Sequence, residues 1–211
     1  MEMDAAPLHQ DIRALDEALT AAERDARALT AGLSDAAAAW RRTPTSWNVA
    51  ECLDHLATAN RVYLHAMRPP AERALASGRS RRGPALPGVI GRWFVRTLEP
   101  PAKARFKRRA PRSIQPRRSP PLSDAMDAFL ASQDEVRRFL RTYAEIDLAG
   151  VRFPNPFIGG VRFSLATGLH VIAAHERRHL WQAWQVRREI EHPASASPAS
   201  DSHDGLGKRR A

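Results

Sequence analysis

The sequence contains a single cysteine, Cys52, and this excludes an intramolecular disulfide from the forces that stabilise the fold. It also lacks any unbroken apolar run near the ~18 residues that a membrane-spanning helix needs. The N-terminal stretch MEMDAAPLHQ has neither a basic start nor an apolar core, so it does not resemble a secretory signal. These absences predict a soluble cytoplasmic protein with no membrane partner.

Acidic residues are scarce in one segment, residues 69–121, which holds fourteen basic and two acidic side chains. The whole chain has a net charge of +10, so this basic connection accounts for the entire excess and the remainder is close to neutral. Its prolines and glycines predict an irregular, solvated connection, apart from a short apolar helix at GVIGRWFVRTL. A nucleic-acid surface is the less favoured alternative, because Trp93 and Phe94 lie among the arginines but no DNA-binding motif is present.

Apolar residues recur at steps of three and four along four segments of the chain, a spacing that predicts amphipathic helices. These segments are residues 8–40, 48–68, 123–143 and 164–191. Pro44 and the RPP sequence that begins at Arg68 are expected to end the first two helices. Asn48 and Glu51 have the spacing of a capping box at the start of the second helix.

Four such helices with no convincing strand predict an all-α fold, a four-helix bundle within residues 1–192. The basic connection, 69–121, is expected to join the second helix to the third. VRFPNPFIGGVRF, residues 151–163, is predicted to be a loop. Residues 193–211 are small and polar and predict a disordered tail.

The fourth helix carries HVIAAHERRHLWQ, residues 170–182. Steps of about 100° per residue place His175 and His179 at the centre of the apolar stripe with Gln182 beside them, and His170 toward solvent. Two imidazoles one turn apart on a helix can reach the same metal ion. The alternative is a pair of buried histidines that form hydrogen bonds with neighbouring polar groups.

A third histidine strengthens the prediction of a metal site. His55 lies at the margin of the buried face of the second helix, from which it can reach across the bundle to His175 and His179. Three histidines from two facing helices, with no obvious fourth protein ligand, are typical of an open catalytic metal site.

Other residues near these histidines each have two interpretations. Glu51 either orients the histidine of the second helix or only caps that helix, and Gln182 either holds a ligand ring or packs in the core. Arg178 either meets an anionic group of a substrate or is simply exposed. Cys52 is predicted to be a small core residue and Asp54 a solvated acid.

Residues 175–179 also spell H-E-x-x-H, the motif of zinc proteases, in which Glu176 would be the general base. No strand precedes the motif, and the histidines downstream lie at or beyond the end of the helix. Helical stepping places Glu176 at the flank of the apolar stripe, where a surface acid paired with Arg177 is predicted. We therefore favour a coincidental spelling.

The motif SWNVAECLDHLATANRVYL, residues 46–64, followed by HVIAAHERRHLWQ resembles the DinB-like superfamily, in particular its YfiT-type branch. Trp47, Glu51 and His55 form the W-x-x-x-E-x-x-x-H pattern of that resemblance. It spans residues from about 8 to 191 and implies a four-helix bundle that binds one divalent metal ion, zinc, nickel or similar. The metal ligands that it implies are His55, His175 and His179.

The same resemblance implies a metal-dependent enzyme, and thiol transfer by some members suggests a thiol S-transferase with a small-molecule substrate such as a low-molecular-weight thiol. A water bound at the open metal position would instead give a hydrolase, and the sequence does not choose between the two. A homodimer is a further expectation. The main alternative is a non-catalytic helical bundle, of binding or stress-response type, whose histidines are merely buried.

Overall fold

Four long helices form the body of the computed structural model, which describes residues 8–101 and 111–192. They are α1 (Gln10–Thr30), α3 (Val49–Ala76), α5 (Leu122–Thr142) and α6 (Leu165–Glu191). Both α1 and α3 pack against α5 and α6, and the buried apolar residues of the bundle form two clusters. The predicted all-α bundle is confirmed.

The first helix is shorter than its apolar pattern predicted. α1 ends at Thr30 instead of continuing to Trp40, because the chain turns at Gly32, whose φ of 72° lies in the left-handed region. A separate short helix, α2 (Asp35–Ala38), follows, and the Ser34 side chain caps it.

The second predicted helix is longer than expected. α3 starts at Asn48, which forms a full capping box with Glu51. It then continues through Pro69 and Pro70 to Ala76, so the prediction that these prolines stop it is wrong. Each proline removes one backbone donor, but Pro70, Ala71 and Ala74 are buried, and this packing offsets the lost hydrogen bonds.

The connection between α3 and α5 is more ordered than predicted. Its apolar stretch forms α4 (Val89–Leu98), as expected, and α4 packs against α6. A turn of 3-10 helix follows at Arg112–Ile114 and buries Ile114. The extended stretch that the sequence predicted lies in part at residues 102–110, outside the described residues.

Two arginines of this connection form ion pairs with the folded body. Arg81 pairs with Asp11 of α1 and is largely buried, whereas Arg79 pairs with Asp147 but is 43% exposed. Residues 77–84 are exposed apart from Arg81, so this stretch is solvated, as expected, except at that residue.

The segment after α5 contains a hairpin where the sequence predicted only a loop. Strands β1 (Arg152–Pro154) and β2 (Arg162–Ser164) pair antiparallel, with Phe153 opposite Phe163. Both phenylalanines are buried, so the hairpin fills one end of the core. Ser164 then caps α6, which begins and ends within one residue of its predicted bounds.

Within the described part of the chain, no helix has both the length and the apolar character to cross a membrane. The tail predicted at residues 193–211 lies outside the described residues.

Candidate metal centre

Three imidazole rings meet between α3 and α6. His55 lies in the second turn of α3, and His175 and His179 lie one turn apart in the middle of α6. Each ring offers one nitrogen, and these three atoms all lie within 4.8 Å of one another. The Nε2 atoms of His55 and His175 are 3.2 Å apart. The rings that the helical spacing predicted to converge are therefore brought together.

The orientation of His55 is set by a backbone carbonyl that is distant in sequence. Its Nδ1 lies 2.6 Å from the carbonyl oxygen of Ile114, in the 3-10 turn of the basic connection. A carbonyl only accepts hydrogen bonds, so Nδ1 carries the hydrogen and Nε2 keeps its unshared electron pair. That pair is on the nitrogen that faces His175. Metal-binding histidines commonly have such a backbone partner.

The three rings are neutral at physiological pH. Burial lowers the pKa of His55 to about 4, and this effect outweighs the hydrogen bond to Ile114, which raises the pKa. The pKa values of His175 and His179 lie well below 6.5. Burial is the main cause, and positive charge on the neighbouring histidines and on Arg178 adds to it. Neutral imidazoles are the form that binds metals.

One atom of the group has no partner within the described residues. The Nδ1 atom of His179 is buried and forms no hydrogen bond there. Leaving a buried polar atom unpaired costs about 1–3 kcal/mol. Neutral nitrogen donors, a fixed tautomer and an unpaired ring atom together fit a divalent ion such as zinc.

Trp47 forms a wall of the centre that helical periodicity did not predict. Its ring centroid lies 4.5 Å from that of His55 and 5.5 Å from that of His179. Trp47 precedes α3, so helical periodicity could not predict its position. The only sequence signal for it was its place in the W-x-x-x-E-x-x-x-H pattern.

The hydrogen bonds of the Glu51 carboxylate within the described residues go to groups other than His55. The carboxylate accepts hydrogen bonds from the Arg41 guanidinium at 2.8 and 2.9 Å and from the backbone of Asn48 and Ser119. The structure therefore supports the interpretation of Glu51 as a helix cap. The carbonyl of Ile114, not Glu51, orients His55.

Neither Cys52 nor Asp54 belongs to the group of three histidines. Cys52 is fully buried among apolar residues, as predicted, and burial raises the pKa of its thiol. Asp54 is not a solvated acid, because it is 4% exposed and accepts hydrogen bonds from the backbone and guanidinium of Arg117.

Glu176 is the clearest correction to the sequence interpretation. It was predicted to lie at the surface beside Arg177, but it is fully buried. Its two carboxylate oxygens accept hydrogen bonds from Asn60 at 2.8 Å and Gln133 at 3.0 Å. A carboxylate held by two amides is not placed as the base of a zinc protease, so the spelling H-E-x-x-H is coincidental in this fold.

Two further residues of α6 contact the connection that covers this side of the bundle. His170 was expected to face solvent but is half-buried, with Nε2 3.2 Å from the carbonyl oxygen of Ala85. Arg178 is also half-buried and donates a hydrogen bond to the carbonyl of Thr97 at 3.2 Å.

The comparisons with known proteins agree with this architecture. A sequence model of the DinB superfamily matches residues 18–183, a range that contains all three histidines of the centre. No curated protein and no solved structure matches the chain significantly. Because the family match extends over more than half of its length, the chain belongs to the DinB superfamily.

Proposed function

We propose that the chain is a divalent-metal-dependent enzyme of hydrolase or thiol S-transferase type that acts on a small molecule. His55, His175 and His179 would hold the metal, zinc, nickel or a similar ion. The observation that carries the proposal is the convergence of three neutral ring nitrogens within 4.8 Å of one another. These three donors leave a coordination position for a substrate or water.

When bound, such an ion supplies Lewis acidity that lowers the pKa of a coordinated water or thiol. Other groups of the protein position the rings. The backbone carbonyl of Ile114 holds the ring of His55, and Trp47 packs against the rings of His55 and His179 and shields them from water. Gln182, one turn after His179 on α6, is close enough to support that ring. Glu176 fixes α6 against its neighbours through the hydrogen bonds from Asn60 and Gln133.

Elemental analysis of protein purified without a histidine tag tests the metal. Wild type is expected to carry about one divalent ion per chain, and His175→Ala is expected to lose most of it. His170→Ala is the matched control, because this histidine lies on the same helix but outside the group of three. A metal-free wild type that takes up neither zinc nor nickel would leave only the alternative of a bundle with buried histidines.

Thermal unfolding gives a second readout. Adding zinc or nickel to metal-free protein is expected to raise the melting temperature of wild type and of His170→Ala, since a ligand that binds only the folded state stabilises it. The melting temperature of His175→Ala is expected to respond far less. An equal response in all three proteins would assign the effect to other sites.

The reaction type requires a different measurement. Cobalt-loaded protein titrated with 2-mercaptoethanol is expected to develop sulfur-to-cobalt charge-transfer absorption if the centre accepts thiols. Absence of that band, with cobalt still bound, would favour the hydrolase type over the thiol S-transferase type.

A further inference from the structure

Arg178 places a positive charge beside the three-histidine centre. It directly precedes His179 on α6 and its side chain is half-buried. It also lies three residues after His175, and residues three apart on a helix are neighbours on its surface.

This guanidinium has no acidic partner among residues 8–101 and 111–192. Its one hydrogen bond to a protein group in those ranges is the bond from Nη1 to the carbonyl of Thr97. Arg177, the preceding residue, pairs with Glu99 instead. Four of the five N–H groups of Arg178 therefore remain available to a ligand.

The acidic side chains around the centre are already engaged. Asp54, which adjoins His55 in sequence, is held by Arg117. Glu176 accepts hydrogen bonds from two buried amides. Arg117 neutralises Asp54, whereas the partners of Glu176 are neutral, so Glu176 contributes at most one negative charge near the centre.

The charge balance of the centre is therefore positive. Three neutral imidazoles contribute nothing, a divalent ion would add two positive charges and the guanidinium adds a third, against at most one negative charge on Glu176. Like charges that are partly removed from water repel strongly, because the low local dielectric weakens screening. An anion bound among them relieves that repulsion, and a guanidinium presents two parallel N–H groups that match an oxyanion.

We propose that the substrate of this centre is a small organic anion, and that Arg178 binds its carboxylate or another oxyanion group next to the three histidines. This inference rests on the proposed metal-dependent function and specifies its substrate class. Arg178 determines specificity in this proposal, because it distinguishes a charged substrate from a neutral one of the same size.

A pair of probes that differ in charge tests the inference. Mercaptoacetate and 2-mercaptoethanol both offer a thiol, but only the first adds a carboxylate. Isothermal titration of zinc-loaded wild type is expected to show about tenfold or greater preference for mercaptoacetate, the size expected for a charge-assisted pair of hydrogen bonds. Arg178→Gln is expected to lose most of that preference, and Arg178→Lys part of it.

Arg177→Gln is the matched control, because it removes a neighbouring arginine whose partner is Glu99, and it is expected to keep the full preference. Metal content is measured on every variant. If Arg178→Gln retains zinc and the preference of wild type, the inference is wrong and the metal site stands. If Arg178→Gln loses zinc, the preference for mercaptoacetate is compared between Arg178→Lys and wild type instead. An unchanged preference in Arg178→Lys would then show that the inference is wrong.

A wild type that retains no zinc would instead overturn the proposed function, and this inference with it. Zinc-loaded wild type that shows no preference between the two thiols would overturn the inference alone. The zinc content therefore separates the two failures.

Discussion

Glu176 shows what one buried carboxylate contributes. It lies between two of the candidate metal ligands on α6, and it accepts hydrogen bonds from Asn60 of α3 and Gln133 of α5. Burial raises the pKa of this carboxyl group to about 7, although both hydrogen bonds act in the opposite direction. The residue thus joins three helices at the level of the centre.

Replacing Glu176 by alanine is expected to lower the free energy of unfolding by about 3–5 kcal/mol, because two buried amides lose their acceptor and a cavity is left. Glu176→Gln keeps the size and should cost less, since Asn60 Oδ1 and Gln133 Oε1 are both unpaired and can accept from the new amide after a flip. Urea unfolding in the presence of a chelator measures the stability of the fold without the metal.

Glu135→Ala serves as the control for that prediction, because Glu135 forms a surface pair with Arg61. Its loss is expected to cost less than about 1 kcal/mol. Equal losses for the two alanine variants would contradict the structural role assigned to Glu176.

At the scale of elements, α6 is the helix around which the others are arranged. It packs against α1, α3 and α4 and follows directly from β2. Gly168, in its first turns, lets it approach its neighbours closely: a Cβ there would lie 2.6 Å from Met67 Sδ and 2.9 Å from Phe153 Cζ.

We expect Gly168→Ala to destabilise the protein by about 1–3 kcal/mol, because the added methyl group overpacks the contact between α6, α3 and the hairpin. The gain in helix propensity from glycine to alanine is smaller, about 1 kcal/mol. Gly159→Ala is the matched control, since a Cβ there meets no atom within 4 Å. Chemical denaturation of both variants should show a loss for Gly168→Ala only, and a stabilised Gly168→Ala would show that the close contact relaxes.

At the scale of the whole molecule, the basic connection is part of the folded unit. The Asp11 carboxylate accepts hydrogen bonds from the Arg81 guanidinium and the backbone of Ala85, and so attaches the connection to α1. Burial alone would raise the pKa of Asp11, but these hydrogen bonds outweigh it and the pKa lies below its ordinary value of 3.8.

A lowered pKa means that Asp11 stabilises the fold at pH values above its unfolded-state pKa, and that this contribution is lost as the pH falls through the folded-state value. We expect Asp11→Asn to lower the free energy of unfolding by about 1–3 kcal/mol near neutral pH. The difference from wild type should shrink as the pH falls from about 5 to 2. Urea unfolding across that pH range measures it, and a difference that is constant with pH would argue against the ionised carboxylate as its source.

The amino-acid sequence by itself determined the helices and the spacing of the candidate ligands. Helical geometry is local, because each backbone hydrogen bond joins residues four apart, so apolar periodicity located α5 and α6 and placed His175 and His179 on one face. Cap chemistry is equally local, and Asn48 with Glu51 marked the start of α3 correctly.

Helical periodicity failed where burial depends on neighbours that are distant in the chain. A helical wheel assumes one solvent side, but α6 is surrounded by other elements, so Glu176 and His170 are covered although both lie off the apolar stripe. The same limit explains the continuation of α3 past Pro69, since core packing compensates there for lost backbone hydrogen bonds.

Only the tertiary structure decided how the centre is completed. The contact between His55 and His175 joins residues 120 positions apart, and the carbonyl of Ile114 orients His55 from 59 residues away. Whether Arg178 has an acidic partner likewise depends on which carboxylates the fold has already engaged. Such contacts arise from the packing of whole helices and of the connection between them, and neither local spacing nor local propensity encodes them.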